Sequence, residues 1–180
     1  LNDATQGITQ AGSTFKVFTL TAALERGIPL SSVWDGRSPQ IFTGMGEKYR
    51  VSNYGNANFG KISLLTATAN SVNTVFVRLN YRVGPSNSVD VAQRAGIPES
   101  VEMLATPSFV LGVSSPHVID VATAFATFAA QGMYAKTHFV SEVRDRSTEK
   151  LVYQSNVESK RVFQANVMAD LTYALRGVVR

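Results

Sequence analysis

The chain has 180 residues, 44% of them hydrophobic, a net charge of +4 at pH 7 and no cysteine, a composition suited to one globular domain. Lack of cysteine excludes disulfides and thiolate metal sites, and is compatible with an extracytoplasmic address without requiring one. Acids and bases are interspersed with no basic stripe, which argues against a nucleic-acid partner, and no apolar run approaches the ~20 residues of a transmembrane helix or reads as a signal peptide.

The first predicted element is a helix over 13–26, opened by Gly12 and by Ser13-Thr14-Phe15-Lys16. It is apolar nearly all round, with Val17, Phe18, Leu20, Ala22, Ala23 and Leu24 interrupted only by Thr19 and Thr21, the pattern of a buried helix. Arg26-Gly27 closes it, a basic last turn followed by a capping glycine. Residues 29–58 read as irregular, rich in Gly, Ser and Asn, and carry Trp34. A loop of that length in a compact domain usually covers a site or has a function. Helices are predicted over 61–70 and 74–82, with Ser71-Val72-Asn73 on the short link between them, and over 89–95. A buried helix over 116–130 has Ile119, Ala122, Phe125, Ala126 and Ala129 at helical spacing and Gly132 as its cap. Strands over 140–144 and 151–154 are joined by a polar turn. The last helix, 167–178, has Met168, Leu171, Ala174, Leu175 and Val178 on one face.

Two of these stretches carry chemistry. Residues three apart share a helix face, so Ser13 and Lys16 set a hydroxyl beside an amine with no tertiary contact required. Serine needs a neighbouring base to become a nucleophile, and an apolar setting can lower a lysine pKa far enough to supply one. Phe15, Val17, Phe18 and Leu20 supply that setting. Ser71 and Asn73 place a second hydroxyl and a carboxamide on a link short enough for both to face one cleft. Each motif alone is better explained by helix capping; together they point to acyl transfer. The only histidines, His117 and His138, lack metal-ligand spacing and read as structural, His117 at a helix start and His138 opening a strand. A Ser-His-Asp triad is assembled in space rather than in sequence, and with a lysine beside Ser13 none is needed.

In chain order, QAGSTFKVFTLTAALERG, NYGNANFGKISLLTATANSVNTVFVRLNYRVG, LGVSSPHVIDVATAFATFAAQGM and the hairpin-like SEVRDRSTEKLVYQ resemble the transpeptidase domain of penicillin-binding proteins, more closely the class A, bifunctional kind. The resemblance covers essentially the whole chain, and Ser52-Asn53-Tyr54 is similar to a feature of the same family. It implies an α+β fold of the penicillin-binding protein and serine β-lactamase type, of which this chain would be mainly the helical part plus a β-hairpin.

The family's third signature, K-T-G or K-S-G on a strand bordering the site, is not found in residues 1–180. The expectation is therefore a partial transpeptidase domain, 1–180, lacking upstream strands and the lysine-bearing strand. It would be either a proteolytic or recombinant piece or a chain whose flanks are not represented, with the remainder as flanking residues or a separate chain. The resemblance implies Ser13 as nucleophile, Lys16 as candidate base (the base is disputed in this superfamily), Ser71 as proton relay and Asn73 as a substrate-binding residue that orients Lys16. It also implies D-Ala-D-Ala stem peptides of peptidoglycan and β-lactams as partners, no cofactor or metal, and a place on the outer face of the bacterial plasma membrane, anchored from outside this chain. A carboxypeptidase, a serine β-lactamase, and a non-catalytic β-lactam sensor or scaffold stay open. Glu99 and Glu102 lie in the right part of the chain for a lactamase base but read as surface residues.

Overall fold

The computed structural model describes residues 2–44 and 47–179. Its centre is α1 (Lys16–Glu25), in which every residue from Lys16 to Leu24 is buried. Helices α3 (Asn73–Val83), α4 (Pro85–Ala95) and α6 (Ala165–Leu175) pack around it, so an all-round apolar helix is what the position demands. Burying each Phe or Leu of this core contributes ~1.5–3 kcal/mol. The helix ends as expected at Arg26-Gly27, with the Gly27 amide donating to the Leu24 carbonyl and Ile28 to Ala23.

A buried polar network ties the helices in register. The Thr19 hydroxyl donates to Ser88 Oγ at 3.0 Å, and Ser88 Oγ donates to Asn80 Oδ1 at 2.8 Å. The Asn80 carboxamide then donates to the Thr106 carbonyl at 3.1 Å. That last bond fixes the approach to a 3-10 turn, Pro107–Leu111, which meets the start of α1. Arg94 on α4 adds a surface clamp, paired with Glu25 of α1 and Asp90 and lying over the Phe163 ring.

Among the described residues the sheets are four antiparallel pairs. Strand β1 (Val33–Asp35) pairs with β4 (Lys61–Ser63), β2 (Gln40–Gly44) with β3 (Glu47–Val51), β5 (Met133–Ala135) with β8 (Ser159–Arg161), and β6 (Glu142–Arg144) with β7 (Leu151–Gln154). The hairpin expected over 140–144 and 151–154 is present as β6 and β7. Residues 29–58 are not irregular throughout: β2 and β3 form a hairpin in which Phe42 and Val51 turn inward. The alternation was masked because the apolar Ile41 faces solvent beside Phe42, while Gln40 shares the inward face.

Other boundaries also differ. Residues 61–63 are strand rather than helix, and Ser63 caps the short α2 (Leu64–Ala69) by accepting from the Thr66 amide. Helix α4 begins earlier than residue 89, with Pro85 in its first turn. The buried face of α5 (Val118–Ala129) is Ala124, Thr127 and Phe128. Ala122, Ala126 and Ala129 are exposed, and Ile119 and Phe125 half-buried. This helix is apolar on several faces, so spacing did not single one out. The Thr127 hydroxyl, bonded to the Ala95 carbonyl of α4, sets the face that turns inward. Helix α6 gives way to a 3-10 turn at Arg176, which carries Val178 out of the predicted core into solvent. His117 takes the N-cap of α5 and shares a capping box with Asp120, whereas His138 lies in an exposed loop before β6 rather than opening a strand.

Candidate active site

Ser13 sits in a 3-10 turn, Gly12–Phe15, that runs directly into α1. Residues three apart eclipse one another in such a turn, so the Lys16 chain rises over Ser13. Gly12 makes the turn with φ +58°. Its amide donates to the Gly112 carbonyl at 3.1 Å, and the Ala11 amide donates to the Ser114 carbonyl at 3.1 Å. Beneath, the Phe15 ring packs against Phe18 and Phe109, with centroids 5.0 and 5.2 Å away. Gly112, at φ +69°, is buried against this turn; a Cβ there would overlap the Gly12 backbone. The sequence reading missed Gly112. A glycine between Leu111 and Val113 does not say which backbone approaches it.

Lys16 is 5% exposed, and its amine is ringed by oxygen. Nζ lies 2.9 Å from Ser13 Oγ, 2.8 Å from both the hydroxyl and the carbonyl oxygen of Ser71, and 2.6 Å from Asn73 Oδ1. The Phe76 ring lies 5.8 Å from it. Four acceptors exceed the three protons of an ammonium. Once the amine is neutral, its lone pair can accept the Ser13 proton while its two N–H groups hold two of the other three oxygens. Burial pushes the Lys16 pKa down to about 8, because the charged form loses hydration. The adjoining cleft, about 490 Å³, brings Val17, Leu20, Phe125 and Leu175 to the same face.

Ser71 follows α2 with φ +51°, a left-handed conformation usually left to glycine or asparagine at a helix end. Holding a serine there costs about 1 kcal/mol, and the geometry aims both its hydroxyl and its carbonyl at Lys16. Asn73 is the first residue of α3 rather than part of the link. Its Oδ1 faces Lys16, and its Nδ2 donates to the Ser52 carbonyl at 2.9 Å. Replacing Ser71 with glycine is expected to leave the melting temperature unchanged or a few degrees higher, because strain is relieved. The same variant should slow covalent labelling by β-lactam ~100-fold. Thermal unfolding and labelling kinetics on one preparation check both halves.

The four expected site residues, Ser13, Lys16, Ser71 and Asn73, therefore meet around one amine. Glu99 and Glu102 are exposed on the loop after α4. Among the described residues no three His, Asp or Glu side chains gather as a metal site, and no helix is long and apolar enough to cross a membrane.

The family model described as "Penicillin binding protein transpeptidase domain" matches residues 1–180. Penicillin-binding protein 1A of Mycobacterium tuberculosis is 34% identical over 171 residues, 87% of this chain and 20% of that protein. The PonA1 protein of Mycobacterium tuberculosis, solved in complex with penicillin V, superposes with a TM-score of 0.84 at 30% identity, over 97% of this chain and 48% of that one. An imipenem acyl-enzyme complex of penicillin-binding protein A, also from M. tuberculosis, superposes with a TM-score of 0.89 at 23% identity, over 99% of this chain and 45% of that one. The chain thus spans about a fifth of the curated relative and about half of each solved chain.

Proposed function

The chain belongs to the penicillin-binding protein transpeptidase domain family, and from that premise we propose that it carries the acyl-transfer centre of a D,D-transpeptidase that cross-links peptidoglycan. One observation carries the reading: a single buried amine within 2.9 Å of both the Ser13 and the Ser71 hydroxyls. With Lys16 neutral, Ser13 Oγ attacks the carbonyl of the terminal D-Ala-D-Ala bond as its proton passes to Nζ. The carbonyl becomes a tetrahedral oxyanion. The C–N bond then breaks, and the proton reaches the departing D-alanine nitrogen from Lys16 through Ser71. An ester to Ser13 remains, which an amine of a second stem peptide attacks, making the cross-link and returning the proton to Ser13. Asn73 holds the Lys16 amine and the peptide backbone of the substrate.

A β-lactam presents a strained cyclic amide in place of that peptide bond, but its leaving nitrogen stays tethered, so the Ser13 ester persists. The PonA1 protein, 30% identical to this chain, has been solved in complex with penicillin V, which supports a β-lactam as ligand here. A lysine-bearing strand outside residues 1–180, as the family has, would supply an oxyanion donor and hold the substrate carboxylate; one such donor is worth ~10²–10³ in rate. The work would be done at the outer face of the bacterial plasma membrane.

The test is intact-mass spectrometry of the full chain with benzylpenicillin, followed by a D-Ala-D-Ala stem peptide with and without an amine acceptor. The proposal expects a mass gain of one drug molecule that decays slowly, and D-alanine release accompanied by an amide-linked product when the amine is present. Fast turnover to the hydrolysed drug would make the protein a β-lactamase; binding without any mass gain would make it a sensor.

A further inference from the structure

The N-cap of α3 is Val72, whose side chain makes no capping bond, although the first amides of a helix need acceptors. The acceptor comes from far away in sequence. Asn53, in the segment after β3 and only 5% exposed, accepts from the Thr74 amide at 3.0 Å and the Thr74 hydroxyl at 3.2 Å through Oδ1. Its Nδ2 donates to the carbonyls of Gly36 and Ala57 at 3.0 and 2.9 Å. The peptide joining Ser52 to Asn53 is held on both sides. Its N–H donates to Ser38 Oγ at 2.9 Å, and its carbonyl accepts from Asn73 Nδ2 at 2.9 Å. A carbonyl can only accept, so it draws the NH₂ end of the Asn73 carboxamide toward itself. Oδ1 is thereby left facing Lys16 Nζ, 2.6 Å away.

We propose that Asn53, with the Ser52–Asn53 peptide it anchors, is the positioning residue that turns the Asn73 carboxamide oxygen onto Lys16. A chain of contacts then runs from Ser38 through this peptide and Asn73 to the amine beside Ser13. Without it Asn73 can rotate, presenting its NH₂ group to the Lys16 amine, where donor meets donor. Asn53 touches no reacting atom; its influence passes entirely through Asn73 and the first turn of α3. The inference rests on the acyl-transfer reading above.

The experiment is a double-variant cycle on the full chain, using benzylpenicillin and resolving the acylation step, k2, from the non-covalent binding constant. Asn53→Ala is expected to lower k2 ~10- to 100-fold and to change the binding constant less than about threefold. In an Asn73→Ala background the same substitution should cost less than about threefold more, since a residue acting through Asn73 has nothing left to position. A general packing role would instead give multiplying losses, and those, or an unchanged k2, would overturn the inference. Should Asn53→Ala not fold, Ser38→Ala decides alone: a fall in k2 that vanishes in the Asn73→Ala background supports the proposal, and no fall overturns it. An unlabelled wild-type chain would overturn the acyl-transfer reading and this inference with it, whereas labelled wild type with multiplying losses removes only the inference.

Discussion

Lys16→Met should slow acylation by β-lactam ~10³-fold and, at pH 7, raise rather than lower stability. Both follow from one buried amine. Its pKa is about 8 in the folded chain against an ordinary 10.5, and the difference corresponds to a destabilisation on the order of 3 kcal/mol when the group is charged. The sign is set by proton binding. Between pH 8 and 10.5 the unfolded chain holds this proton and the folded chain does not, so stability rises with pH across that window. Below pH 8 both states hold it, and the burial cost is present in full. Methionine removes the charge but leaves the Ser71 carbonyl and Asn73 Oδ1 without their donor, so a net gain of about 1–2 kcal/mol is expected. Acylation moves the other way. In the wild type it should climb about tenfold per pH unit well below 8 and level off above, as Lys16 loses its proton. In Lys16→Met that limb should disappear. Stopped-flow labelling from pH 5 to 10, alongside thermal melts over the same range, checks both curves.

Gly112→Ala is the second large effect, and it lies outside the reacting groups. The new methyl group would meet the Gly12 carbonyl and amide, which are backbone and have little room to give. Gly112 also sits at φ +69°, unfavourable for alanine by a further ~1 kcal/mol. A loss of about 3–5 kcal/mol is expected, seen as a fall in melting temperature. In whatever fraction stays folded, Ser13 is displaced by the shift of its own turn. A misplacement near 1 Å costs about 10² in rate, so labelling per folded molecule should fall by about that factor. Normal stability and labelling would mean that the turn around Gly12 is not held by Gly112.

What the sequence made legible follows the range of the interaction involved. Ser13 and Lys16 are three residues apart, so their meeting is local, and burial of Lys16 followed from the apolar helix on which it sits. Ser71 and Asn73 were legible as a pair on a short connection, though not the left-handed turn at Ser71 or the start of α3 at Asn73. The place of His117 at a helix start and the β6–β7 hairpin are likewise local. Contacts between distant backbones were not legible. Gly112 against Gly12, and Asn53 capping α3 from 20 residues away, depend on the packing of separate elements. The face of α5 was misread because alanines all round the helix give no amphipathic contrast, and only the Thr127 bond to Ala95 resolves it. The β2–β3 hairpin was lost because its alternation is imperfect: Phe42, Tyr49 and Val51 mark the inner face, but Gln40 shares it and the apolar Ile41 faces solvent.

The central claim is that Ser13 is the nucleophile, activated by the amine 2.9 Å away. Peptide mapping of the benzylpenicillin-labelled full chain by mass spectrometry tests it directly. The drug mass should map to Ser13, in the peptide that ends at Lys16, and should be absent from Ser13→Ala under the same conditions. A label that survives Ser13→Ala, or that maps to Ser71, would contradict the assignment.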